Sequence, residues 1–318
     1  MTLAGPHGTS STTRRGKVGS SKVLAWLAWV SVCFFWGTTF PAIHVMVQAM
    51  PPMLSAGLRQ GIAGAVLLLL CLALRLKFPA PRHWLELGWA GFLIVTVANG
   101  LAALALRQVQ GGMATLLAAT GALWVVCLEA LRRDGQKPGL REGAGLLLGF
   151  FGLWVLIQPG AAGPLLPVLL MVFVAFCNAN GYVYLKHHEV EVQPLVSTGI
   201  QLFTGGALLS LAALTQGERL HAGIPRTALG AFWYLVVFGS MLGYFSFVYM
   251  MKRLPPALAV LYVYINPLVA VAISGLWMGE AITARFWVGG AVILSGVALV
   301  QDLPSKMVKQ GLSLLGYD

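Results

Sequence analysis

Leu261 to Val271 reads LYVYINPLVAV, and Leu116 to Val126 reads LLAATGALWVV. Both are apolar runs interrupted at the same place, by Asn266-Pro267-Leu268 in one and Gly121-Ala122-Leu123 in the other. Inside a helix a proline removes one backbone hydrogen bond and crowds the turn before it, here at the carbonyl of Val263. An amide such as that of Asn266 costs free energy in an apolar medium. The pair is tolerated where the freed carbonyl finds a partner or faces a wet cavity. The first stretch therefore predicts a kinked helix with an inward-pointing polar face of Tyr262, Asn266 and Val269. The second predicts its counterpart, with Leu117, Gly121 and Trp124 on the matching face, Gly121 supplying flexibility and Trp124 a ring.

The surrounding composition places these helices in a membrane. Of 318 residues, 58% are hydrophobic and 10% charged, against roughly a quarter charged in a soluble domain. Apolar segments of the ~20 residues a membrane helix needs fall at about 23–43, 53–76, 84–104, 110–132, 140–158, 163–186, 195–216, 227–252, 255–278 and 283–301. The connections are too short for a soluble domain. Cys33, Cys71, Cys127 and Cys177 all lie inside apolar runs with no C-x-x-C spacing, as small apolar residues do.

The formal net charge of +11 is explained by topology. With the N-terminus inside, the inner segments hold 16 of the 21 Lys and Arg residues, the outer segments hold Arg107, Arg219, Arg226 and Arg285, and Arg59 lies within a span. Basic residues favour the cytoplasmic face, so both termini are expected inside and no nucleic-acid partner is needed. Residues 1–22 read as a basic, disordered cytoplasmic tail. Its Arg14-Arg15 pair is followed by no small-residue cleavage site, which argues against a twin-arginine leader. Residues 302–318 read as a cytoplasmic C-terminal tail.

The opening pair belongs to a longer self-alignment. At shifts of 142 to 145 residues, Arg59 to Gly64 falls on Gln201 to Gly206, Arg107 on Lys252, and Gly145 and Gly152 on Gly289 and Gly296. Two five-helix repeats result, 23–158 and 163–301. An odd number of crossings inserts the second repeat upside down. Inverted repeats mark secondary transporters, whose site lies near the midplane where the halves meet and which exchange inward-open and outward-open states. The expectation is an all-α integral membrane protein of ten transmembrane helices.

Midspan polar and aromatic residues nominate the pathway. Helix 1 offers Trp36, Thr39 and Phe40 ahead of Pro41, which frees the carbonyl of Gly37. Helix 6 offers Asn178, Asn180 and Tyr182. Asn99, Gln201, Ser240 and Tyr244 are further candidates, each set against a bland role in helix packing. The pathway set is Trp36, Thr39, Asn99, Trp124, Asn178, Tyr244, Tyr262 and Asn266. Rings with a few amides suit an amphipathic organic solute and not a bare ion.

Arg59 is the one charge well inside a span, and such a group needs a partner. Glu280, at the outer end of helix 9, is the nearest acid by sequence. Arg59 reads either as an anchor bonding carbonyls or as a substrate contact. Arg59, Gly121 and Pro267 form the structural or gating set. No acid lies midspan, since Glu86 and Glu129 sit near inner helix ends; this disfavours proton antiport through a buried carboxylate and favours downhill facilitation. His187-His188 beside Lys186 read as solvated residues, so no metal or cofactor is expected. No phosphate-binding glycine loop with its lysine is present, which excludes ATP-driven pumping by this chain alone.

Phe35-Trp36-Gly37-Thr38-Thr39-Phe40, Pro51-Pro52 followed by Arg59, Leu254-Pro255-Pro256-Ala257, Tyr264-Ile265-Asn266-Pro267-Leu268, Gly279-Glu280, and Gly289 with Gly296 together resemble the drug/metabolite transporter superfamily, in its ten-helix branch with two EamA-type repeats. The resemblance spans about residues 23–301. It implies transport of a small metabolite, usually outward, with amino-acid exporters among the known members, in a bacterial inner membrane. It also favours the anchor role for Arg59. Ala122 replaces a proline, and Arg132-Arg133-Asp134 follows helix 4 where an acid is expected, so the two halves are chemically unequal. A membrane-embedded enzyme or lipid-handling protein would need a polar catalytic cluster at one membrane face, and a channel has no need of paired gates. The sequence leaves the oligomeric state open.

Overall fold

The computed structural model describes residues 12–301 apart from 134, 136, 158–163, 189–191 and 281–282. The described chain is helical, and ten apolar stretches build it: α1 Val23–Val47, α2 Pro52–Ala73, α3 Arg82–Ala105, α4 Gly111–Leu131, α5 Leu140–Ile157, α6 Leu165–His187, α7 Pro194–Thr215, α8 Arg226–Met251, α9 Tyr262–Met278 and α10 Ala284–Val300. Eight are long enough to cross a membrane by length and composition, and α9 and α10 are shorter apolar helices of 17 residues, at the lower end of the ~17–25 residue range. Helical closure of every span satisfies the backbone without water. The large apolar side chains left over, among them Leu69, Leu72, Leu147, Trp154, Leu211 and Trp277, point outward, as a lipid-facing surface requires.

Local sequence explains the helix ends. Pro52 and Pro194 sit in the first turns of α2 and α7, where a missing N–H costs nothing. Gly279 ends α9 with φ 64°, a left-handed C-cap that favours glycine. Helix starts differ from expectation at two places. The first helix runs from Thr12, so residues 12–22 of the leader that the sequence reading takes as disordered are helical; residues 1–11 and the 302–318 tail lie outside the described residues. Span 9 starts at Tyr262 and not 255, because the chain leaves helix at Val260 and Leu261 after a single turn, Pro256–Ala259.

Two seams of small residues join the repeats. Along α2 and α7, Gly57 lies against Ser210, Gly61 against Gly206, Gly64 against Phe203, and Gly199 against Leu68. Numbers rise on one helix as they fall on the other, so these equivalent helices run antiparallel. Along α5 and α10, Gly145 meets Gly296 and Leu299, and Gly152 meets Gly289 and Ile293, again antiparallel. A Cβ on Gly152 would stand 2.7 Å from the backbone nitrogen of Ile293. Apolar helices in lipid gain no hydrophobic attraction to one another, so close backbone approach through small residues holds them together.

Four of the remaining helices are interrupted, while α6 and α9 run unbroken from Leu165 to His187 and from Tyr262 to Met278. α1 breaks at Thr38 and α4 at Thr120. α3 and α8 each contain eight residues with i→i+5 bonding, Phe92–Asn99 and Leu235–Leu242. Such π segments are rare and cluster at functional sites. The interruptions face one another around the middle of the bundle.

Candidate functional site: a central cavity

A cavity of about 430 Å³ lies between α1, α2, α3, α4, α6, α8 and α9 and reaches Gln301 at the end of α10. Trp36, Thr39, Asn99, Asn178, Tyr244, Tyr262 and Asn266, seven of the eight residues named for the pathway, line it, as do Arg59, Gly121 and Pro267. On α4 the lining face is Thr115, Ala118, Ala119, Gly121, Ala122 and Val125, and on α9 it is Tyr262, Val263, Asn266 and Pro267. Under the repeat alignment Ala118, Gly121 and Ala122 correspond to Val263, Asn266 and Pro267, so the two helices present equivalent faces.

Trp124 is the exception. It packs edge-on against Phe150 and Phe176, with ring centroids 5.1 and 5.4 Å away, and its buried Nε1 has no hydrogen-bond partner among the described residues. Leu117, placed on the same expected face, is fully buried in the core. The lining face of α4 runs through Ala118, Ala122 and Val125, one residue away from the face that Leu117 and Trp124 share. Gln201 also lies away from the cavity, where its Nε2 donates to Ser197 Oγ at 2.8 Å.

The aromatic part of the lining forms one group. Trp36 lies 5.3 Å from Tyr244 and 5.5 Å from Tyr262, both edge-on, and 5.1 Å from Phe247, stacked. Its indole nitrogen donates to the Gly239 carbonyl at 3.1 Å, which fixes the ring. The amide of Asn266, oriented by its surroundings, donates through nitrogen to the carbonyls of Tyr262 and Cys33, each at 3.0 Å. Asn266 thus ties the polar stretch of α9 to α1 at the edge of the cavity. Thr39 Oγ1 donates back to the Phe35 carbonyl at 2.8 Å, a common way for a hydroxyl to be satisfied in a membrane helix.

The polar part centres on α2. Arg59 Nη2 donates to Asn99 Oδ1 at 2.9 Å and Nη1 to Ser240 Oγ at 3.2 Å. Gln60 Nε2 donates to the same Asn99 oxygen at 3.2 Å, and Ser240 Oγ donates to Gln60 Oε1 at 3.0 Å. Asn99 Nδ2 donates to the Ile94 carbonyl at 2.8 Å, five residues back in its own π segment. Arg59, Gln60 and Ser240 are each at most 3% exposed. Gln60, Thr115 and Gln301, which also line the cavity, carry no pattern in the sequence that separates them from packing residues.

The expected ion pair between Arg59 and Glu280 is not formed. Glu280 accepts from the backbone nitrogens of Gly111 at 3.0 Å and Gly112 at 3.4 Å. It therefore caps the start of α4 from the end of α9, where the helix dipole and two unsatisfied N–H groups favour an anion. Sequence proximity to the outer end pointed to Arg59; the exposed helix N-terminus is the closer and better-matched donor set.

The two ends of the cavity differ. At the end where α4 begins and α9 finishes, Glu280 and the contact of Gly112 with Ser274 and Val271 bring the two helices together, and Thr115 is 5% exposed. Toward the end where α4, α6 and α10 finish and α9 begins, the lining runs on through Val125, Tyr182, Tyr262 and Gln301, and Tyr182 is 55% exposed. Just beyond this stretch Glu129 of α4, 7% exposed, accepts from Lys186 Nζ at 2.9 Å and bonds His187 Nε2 at 3.0 Å. His187 is thus paired across to α4 and not a solvated residue.

Comparison with known proteins places this architecture. The model of the EamA-like transporter family matches residues 23–158 and again 165–301. The chain is 31% identical over 267 residues to "Uncharacterized inner membrane transporter YedA" of Escherichia coli (strain K12), covering 83% of this chain and 86% of that one. It is 29% identical over 274 residues to "Protein PecM" of Dickeya dadantii (strain 3937), covering 84% and 89%. A solved crystal structure shares the fold, with a TM-score of 0.59 at 20% identity over 89% of this chain and 98% of its own. The chain belongs to the EamA-like transporter family, within the drug/metabolite transporter superfamily, and is a multi-pass membrane protein built of two repeats.

Proposed function

We propose that the chain is a secondary transporter that moves small organic metabolites across an inner membrane by alternating access. The observation that carries this is the cavity between the repeats: equivalent faces of α4 and α9 line it, Glu280 ties those helices together beyond one end, and toward the other the lining runs on to the exposed Tyr182 and to Gln301. The antiparallel seams support an inverted relation of the repeats, which makes a mirror-image state with the two ends exchanged similar in energy. With both termini in the cytoplasm, as the basic residues indicate, the end that reaches Tyr182 and Gln301 faces the inside.

Trp36, Tyr244, Tyr262 and Asn178 contact the solute, and Gly121 and Pro267 allow α4 and α9 to bend. The expected solutes are amphipathic, amino acids among them, and outward movement is the direction the family resemblance suggests. Among the described residues the lining holds no carboxylate, which supports facilitated movement down a gradient. The test is uptake of labelled amino acids, organic acids and amines into proteoliposomes of purified protein, with and without an imposed proton gradient. Saturable, gradient-independent flux of at least one class supports the reading; no flux of any class overturns it.

A further inference from the structure

Among the described residues, Arg59 is the only one lining the cavity that carries a formal charge. It is 3% exposed, and a guanidinium has five N–H donors and stays charged at neutral pH. Its partners are neutral oxygens, Asn99 Oδ1 and Ser240 Oγ, and its Nε has no partner among the described residues. Each of the described carboxylates is engaged elsewhere: Glu86 with His83, Glu129 with Lys186 and His187, Glu142 with the Gly139 nitrogen, Glu218 with the Leu54 nitrogen, and Glu280 with Gly111. A buried charge without a counter-charge is costly at membrane depth. The oriented dipoles of Asn99 and Ser240 lower that cost without cancelling the charge.

We infer that Arg59 is the binding site for the carboxylate of an organic monoanion, whose apolar or planar body lies against Trp36, Tyr244 and Tyr262. This rests on the transporter reading for its physiological meaning but not for its test. Charge matching selects the class. One guanidinium balances one carboxylate, with a fork geometry suited to it. A phosphate dianion would bring a second charge with no second cation in the lining. An ammonium group would meet no acid there and would be repelled by Arg59. Among solutes of one shape, affinity is therefore ordered carboxylate first, zwitterion second, amine last.

The experiment is thermal unfolding of the purified full-length protein with matched probes: 3-phenylpropionate, phenylalanine and phenethylamine, then valerate against butylamine. Ligand stabilisation reports affinity through the ratio of concentration to Kd. Expected is a rise in Tm with the acids at concentrations at least about tenfold below those at which the matched amines act, a difference of about 1.4 kcal/mol. Asn99→Asp places a fixed carboxylate where the amide oxygen now sits 2.9 Å from Nη2, at the cost of the Nδ2 bond to the Ile94 carbonyl, and is expected to abolish the acid response in protein whose folded state is checked by size-exclusion chromatography. Arg59→Lys keeps the preference for acids and Arg59→Gln loses it; if Arg59→Gln does not fold, Asn99→Asp decides. No stabilisation by the acids, equal stabilisation by acids and amines, or an unchanged acid response in Asn99→Asp each overturns the inference. Binding of acids without flux in proteoliposomes removes the transport reading and leaves this site standing; flux of solutes without regard to charge does the reverse.

Discussion

Removing the charge of Glu280 is expected to shift the protein toward the state open at the end that this residue ties together. Glu280→Gln keeps the side chain's size and one acceptor oxygen, so only the ionic part of the cap is lost. The bond to Gly111 at 3.0 Å is the stronger of the two and that to Gly112 at 3.4 Å adds little. A neutral bond nets about 1 kcal/mol and a charge-assisted one roughly twice that, so about 1 kcal/mol goes with the charge. The lost interaction with the start of α4 removes a further ~0.3–1 kcal/mol. A total of about 1–2 kcal/mol moves a two-state ratio by about 5- to 30-fold. Thr115, buried near that end and lining the cavity, is the reporter. Thr115→Cys, with Cys127 replaced by Ser, is labelled in whole cells by a membrane-impermeant maleimide. Glu280→Gln should raise the labelling rate 5- to 30-fold. A rate within about twofold of the parent, at equal folded yield, refutes the claim that this cap holds the outer gate.

Gly206→Ala should lower the Tm of the purified protein, because its Cβ would collide with the backbone of Gly61 at the α2–α7 seam, a cost of about 1–3 kcal/mol; Gly230→Ala, with open space around it, should leave Tm unchanged or slightly higher. Trp124→Phe should leave solute binding intact and cost no stability, since it removes a buried unpartnered N–H whose desolvation costs about 1–3 kcal/mol; a loss of binding in a stability-matched titration would return Trp124 to the pathway. Pro267→Ala should impair flux more than Ala122→Pro, because α9 runs unbroken with Pro267 as its one interior proline while α4 already breaks at Thr120; the opposite order counts against unequal gates.

The spans and the repeat were legible because lipid leaves little choice: ~20 apolar residues and a satisfied backbone admit only a helix. Residues with two chemical faces were legible for the same reason, and Trp36, Asn178 and Tyr262 reached the cavity as amphipathic side chains in lipid tend to. What the sequence hides is phase. The spacing puts Trp124 on a 3.6-residue face that runs one position away from the one lining the cavity, and nothing in LLAATGALWVV marks which of two adjacent faces is turned inward. Arg59 was legible as unusual but not as to its partner, because Asn99 and Ser240 reach it through π segments that no local pattern announces. Glu280 was legible as an acid near the outer surface, while the N–H groups it caps belong to a helix 169 residues away.

The π segments of α3 and α8 have a consequence for register. A stretch with i→i+5 bonding carries more residues per turn than an α-helix, so each segment stores slack in chain length. Deleting that extra residue would let Phe92–Asn99 close into α form with the flanking turns still in phase, whereas losing one residue from an α-helical flank, with the π segment kept, would turn everything beyond it by about 100°. Asn99 would then swing off Arg59 while keeping its bond to Ile94 within the segment. Ser240 stands in the same relation to the segment of α8. The two widened turns therefore act as angular settings that aim both of the guanidinium's acceptors at once, and insertion or loss of a single residue on either side reads out as a rotation of the site, not as a break in the helix.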